Sequence, residues 1–154
     1  MNATGTIFLL GPARSFPKGL DRRLARQGGL KVCGIESDSL KALAEIPRLQ
    51  PELALVHLSN PDQAVTLLKL IRAAAPRIKV LVHSDLCNPA FADQVLQAGA
   101  DGYICEQQEA EEIVNAVRDV LTGHLYVSEQ ALLAEPAEVA KKPKKKPSRK
   151  RSRR

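Results

Sequence analysis

Three side chains able to move protons or ligate metals stand at the ends of short apolar runs. His57 closes "ALVH" ahead of the turn "LSNP", Ser84 closes "IKVLVHS", and Glu106 closes "GYICE". Each run is β-prone, as expected of a buried strand that delivers one polar group to the rim of a sheet. Serine, histidine and a carboxylate formally spell a hydrolase triad, but no GxSxG elbow presents the serine, so hydrolysis is not expected. Metal binding would draw on His57 and Glu106 with His83 or Cys105. Strand alternation puts His83 and Ser84 on opposite faces, which leaves a third ligand without an obvious source. Phosphoryl transfer to His57 has no neighbouring acid to support it. Cys33, Cys87 and Cys105 are odd in number, widely spaced and without a CxxC pair. They read as reduced thiols rather than as a disulfide or metal framework.

The elements that must carry these groups alternate along the chain. Strands are expected at 6–10, 30–35, 52–58, 78–84 and 102–106, and helices at 17–27, 37–49, 61–75, 88–100 and 109–123. Strand–helix units with short connections make a parallel sheet covered on both faces, with right-handed crossovers. The implied fold is flavodoxin-like, a five-stranded parallel sheet of order 2-1-3-4-5, with function at the carboxyl ends of strands 1, 3, 4 and 5. Aromatic residues are 3% of the chain and tryptophan is absent, so Leu, Val, Ile and Ala must fill the core. No apolar run approaches the roughly 20 residues of a membrane span, and a cytoplasmic chain without membrane contact is expected. The domain is expected to span 6–123, followed by a linker at 124–140 with a short helix around 129–134.

Charge divides the chain a second way. Of 23 Lys and Arg residues, ten lie in "KKPKKKPSRKRSRR" (141–154), which holds no acid. The remaining 13 basic residues meet 17 acidic ones, so residues 1–140 carry a net −4. The terminal run has nothing apolar to bury, and its like charges repel, so it should be disordered when free.

The strand–helix rhythm, "GL" at 19–20, "AGADGY" at 98–103 and "GHLYVS" at 123–128 resemble the receiver domain of bacterial response regulators. The resemblance covers about residues 6–130 and is strongest to the LuxR/NarL type within this CheY-like family. In that family a carboxylate pair after strand 1 holds Mg²⁺ and an aspartate ending strand 3 accepts a phosphoryl group. A Ser or Thr ends strand 4, a lysine ends strand 5, and Tyr103 would be the conformational switch aromatic. On this chain the corresponding positions are Gly11 and Pro12, His57, Ser84 and Glu106, so only the hydroxyl is kept. The resemblance therefore implies a degenerate receiver, neither enzyme nor cofactor binder, with His57, Ser84 and Glu106 on one rim. His57 is expected to pair with Glu106, which would favour the imidazolium and raise its pKa.

The resemblance also implies protein partners, and homodimerisation, through residues 78–122. In the family "YVS" leads on to a DNA-reading helix-turn-helix; here about 26 residues follow, too few for one, and the basic run stands in its place. Lys141, Lys142, Lys144, Lys145, Lys146, Arg149, Lys150, Arg151, Arg153 and Arg154 would contact phosphates of DNA or RNA. No aromatic interleaves them, so neither base stacking nor sequence readout is expected. Nucleoid association follows from that reading.

Overall fold

The computed structural model describes residues 5–105 and 109–133. The strands are β1 (Gly5–Leu10), β2 (Leu30–Glu36), β3 (Leu53–His57), β4 (Lys79–Ser84), β5 (Gly102–Cys105) and a two-residue β6 (Tyr126–Val127). The helices are α1 (Leu20–Ala25), α2 (Ser39–Leu49), α3 (Pro61–Ala74), α4 (Pro89–Gln97), α5 (Ala110–Leu121) and α6 (Glu129–Leu133), with a single 3-10 turn at Ala13–Ser15. All neighbouring strands pair in parallel in the order β2-β1-β3-β4-β5-β6. The flavodoxin-like, CheY-like sheet expected from the sequence is present, with β6 added on its β5 edge.

Period-two alternation decides which side chain serves which face. Ala54, Val56, Val80, Val82, Tyr103 and Cys105 face α2, α3 and α4 and are packed with Ile46, Leu68 and Phe91. Leu53, Leu55, Leu81 and Ile104 face the other way, against Leu20 and Leu24 of α1 and Ile113, Val117 and Val120 of α5. Both layers are mostly aliphatic, with Phe8, Phe91 and Tyr103 the buried aromatics of one and Phe16 that of the other.

Local chemistry starts three helices where the strands leave off. Asp38 Oδ1 accepts from the Leu40 and Lys41 amides at the start of α2 (2.8 and 3.2 Å). Asn60 and Asn88 cap α3 and α4 through the Asp62 and Phe91 amides, both at 2.8 Å. Each asparagine precedes a proline at the first helical position, where a missing N–H costs nothing.

The β5 edge is closed by "YVS". The Ser128 amide donates to Tyr103 O, and Ser128 Oγ accepts from the Cys105 amide, both at 2.9 Å. A two-residue strand is thus fixed by side-chain and backbone bonds together, and α6 begins directly after it. Among the described residues no helix is long and apolar enough to cross a membrane.

Candidate functional site

At the carboxyl rim β3 and β4 run in register, Ala54 beside Val80 through His57 beside His83. Both strands end their shared run on "LVH", and this repeat was the available signal that two imidazoles would meet. His57 and His83 approach through their Nδ1 atoms at 3.0 Å, with ring centroids 5.2 Å apart. Phe16, carried by the segment after the 3-10 turn, packs on both rings, at 5.4 Å from His83 and 6.3 Å from His57. His83 is fully buried and its Nε2 has no hydrogen-bond partner. One of its two ring nitrogens is satisfied, through His57.

Burial, and then the nearby His57, push the His83 pKa down from 6.5 to about 4. A neutral His83 must be donor or acceptor towards His57, and its orphaned Nε2 selects between them. A buried N–H without a partner is worse tolerated than a bare lone pair. We therefore assign the Nδ1–H tautomer to His83, donating to Nδ1 of His57 and leaving the Nε2 of His57 to carry its proton.

The predicted acidic-pair positions lie beside His57 and explain the glycine. Gly11 has φ 146°, and a Cβ built on it would lie 2.7 Å from the Cβ of His57. Both the backbone and the space reject a side chain there. Pro12 is exposed and, with Gly11 and His57, lines a groove of about 590 Å³ between the ends of β1 and β3 and helices α2 and α3. Mg²⁺, which the resemblance implies, needs several hard oxygen ligands. Gly11, Pro12 and His57 supply no side-chain oxygen, and the space a carboxylate at position 11 would need is taken by His57, so these residues do not fit the ion.

Ser84 is buried on the opposite face from His83, and its Oγ accepts from the Leu86 amide at 3.0 Å. Tyr103 is buried beneath it, in edge contact with Phe91 at 5.8 Å, and its hydroxyl has no hydrogen-bond partner. Burial raises the Tyr103 pKa to about 12; the adjacent Ser84 hydroxyl works against that rise and the Asp85 charge adds to it. Glu106 lies outside the described residues, as do the ten basic residues of 141–154, so the pairing drawn for His57 with Glu106 finds no geometry here. The imidazole that meets His57 belongs to His83.

The cysteine reading is corrected. Cys87, in the loop between β4 and α4, is joined to Cys105 at the end of β5 by a disulfide, with Cα atoms 5.3 Å apart. Sequence separation hid a pairing that adjacent parallel strands create, since Ser84 and Cys105 are register partners. Cys105 is thereby removed as a metal ligand. Cys33 remains a free thiol, its pKa raised by burial, with its own backbone hydrogen bond and Lys31 acting in the opposite direction. Among the described residues no group of three or more His, Cys, Asp or Glu side chains is placed to hold a metal.

No protein-family model matches the chain. The response regulator GacA of Pseudomonas aeruginosa is 34% identical over 116 residues, covering 73% of this chain and 53% of GacA. The signal receiver domain of the response regulator NarL from Mycobacterium tuberculosis is 28% identical, with a TM-score of 0.68 over 79% of this chain and 99% of that domain. RcsB of Salmonella enterica serovar Typhimurium, solved bound to promoter DNA, shares the fold at 20% identity, with a TM-score of 0.72 over 84% of this chain and 65% of RcsB. The chain spans about half the length of the curated relatives it matches.

Proposed function

Because the chain carries a response-regulator receiver domain of the LuxR/NarL type, we propose that it works in two-component signalling as a receiver that needs no phosphorylation. The observation that supports this reading most directly is the contact between His57 and Gly11. Acyl-phosphate chemistry requires a carboxylate nucleophile, and an imidazole takes that position. Mg²⁺ would have to be held from position 11, which has no room for a carboxylate. The receiver then acts by presenting a fixed surface to a partner rather than by catalysis, in the cytoplasm.

The 78–122 surface is our choice for that partner, either a second copy or another protein. Its exposed face on α4 and α5 is polar, with Asp93, Gln94, Gln97, Glu111, Asn115 and Asp119 outward. The large exposed apolar side chains among the described residues, Ile35, Leu40, Leu70, Leu125 and Leu132, all lie outside it. Contact there would be made by charge and hydrogen bonds and would weaken with salt. The basic residues of 141–154 attach the module to DNA or RNA through phosphates, without sequence preference.

Intact mass after incubation with acetyl phosphate and Mg²⁺ tests the first half. An unmodified chain is expected, whereas a phosphoryl increment that disappears in His57→Ala overturns the reading. For the second half, nucleic-acid binding by the full chain is compared with that of a chain ending at Ala140 across a salt series. Binding should be confined to the full chain and fall steeply with salt; equal binding by both removes the tail from the proposal.

A further inference from the structure

The Cys87–Cys105 bridge ties together three segments that meet at the rim. Cys87 sits in a four-residue loop (85–88) whose other anchors are the Leu86–Ser84 hydrogen bond and the Asn88 cap of α4. Cys105 ends β5, and its amide is bonded to Ser128, from which α6 starts. The two sulfurs differ in access. Cys105 is fully buried, while Cys87 is partly exposed.

We propose that Cys87–Cys105 is a reversible thiol–disulfide site, exchanging with low-molecular-weight thiols of the glutathione class, whose state decides whether the 85–88 loop is held against β5. The step starts when an external thiolate attacks Sγ of Cys87, the reachable sulfur. The S–S bond breaks, and Cys105 leaves as a thiolate and takes a proton. A second external thiol then attacks the mixed disulfide, so the bridge and two thiols become two cysteine thiols and one small-molecule disulfide. Oxidation runs through the same steps in reverse.

Two features of the site set it apart from a purely structural staple. The reduced form is well accommodated, because a Cys105 thiol among Val82, Tyr103 and Ala131 behaves as a small buried hydrophobe. The bridge is also reachable, because Cys87 is partly exposed in a loop with only those two other anchors. A well-accommodated dithiol and an accessible sulfur both move a couple towards ready reduction. Releasing the loop frees the start of α4. The inference is independent of the fate of the phosphoacceptor position.

The experiment uses the full chain carrying Cys33→Ser, so that only the pair is read. The chain is equilibrated in glutathione buffers from fully reduced to fully oxidised, trapped by alkylation and weighed, and amide exchange is followed over 85–97. Both forms should be populated across the series, and amides of 85–97 should exchange about tenfold faster in the dithiol form. Cys87→Ala should show the fast pattern in every buffer. A pair that stays reduced in oxidised glutathione, or stays bridged in reduced glutathione, overturns the proposal. So does exchange over 85–97 that is the same in both forms.

Discussion

The two ends of the sheet are built by opposite rules. At the amino end of β4 and β5, Arg72 of α3 gathers the loops through both of its terminal nitrogens. It donates to the carbonyls of Ile78 and Gly99 and to Asp101 Oδ2, and the same carboxylate oxygen accepts from the Val80 amide at 2.9 Å. At the carboxyl end, His83 Nε2 and the Tyr103 hydroxyl are buried without partners, and Gly11 adopts a backbone that other residues resist. One end has its polar groups matched and the other does not. The resemblance to receivers puts the functional rim at the second end, and it is there that buried polar groups lack partners.

Breaking the matched end should have the largest effect. Arg72→Ala takes the donor from the carbonyls of Pro76, Ile78 and Gly99 and leaves Asp101 only the Val80 amide, and a loss of roughly 4 kcal/mol in urea unfolding is expected. Arg72→Lys should recover only part of it, because one ammonium cannot reproduce the guanidinium fork.

Acid should act on the other end. His83 is held neutral in the fold down to about pH 4, while the unfolded chain protonates it near 6.5. Between those values the unfolded state binds the extra proton, so stability is complete above the window and falls as pH drops through it. The loss should total about 3 kcal/mol and level off below pH 4. His83→Leu should flatten that part of a stability-against-pH curve. A slope unchanged by the substitution would place the acid sensitivity elsewhere.

Much of the fold was legible because alternation and capping are local. "SNP" and "CNP" announce α3 and α4, and the odd–even pattern of Leu53 to Val56 correctly divides the two layers. Non-local pairings were harder to read. β6 has two residues and depends on Ser128 bonding across to β5, which no periodicity records. The disulfide joins positions 18 apart that become neighbours only after two strands and a helix are placed. The resemblance assigns His57 the phosphoacceptor position and draws its partner from β5, whereas the doubled "LVH" aligns it with His83.

Gly11→Ala probes the coupling between those sites. A methyl group would meet the Cβ of His57 at 2.7 Å and sit on an unfavourable φ, costing about 2 kcal/mol. In a His57→Gly background the steric share should vanish and the backbone share persist, which a double-mutant cycle separates.

The smallest effect has the most informative sign. Removing a buried tyrosine hydroxyl usually destabilises, because its hydrogen bond is lost. The Tyr103 hydroxyl has no hydrogen bond of good geometry, and the Ser84 hydroxyl beside it accepts from the Leu86 amide. Tyr103→Phe should therefore leave the oxidised chain as stable as before or more stable, by up to about 1 kcal/mol, since it removes an unpaired polar group and keeps the ring against Phe91. A loss of stability in the oxidised chain would mean that the carboxyl rim is as well matched as the amino end, and the contrast between the two ends would fall.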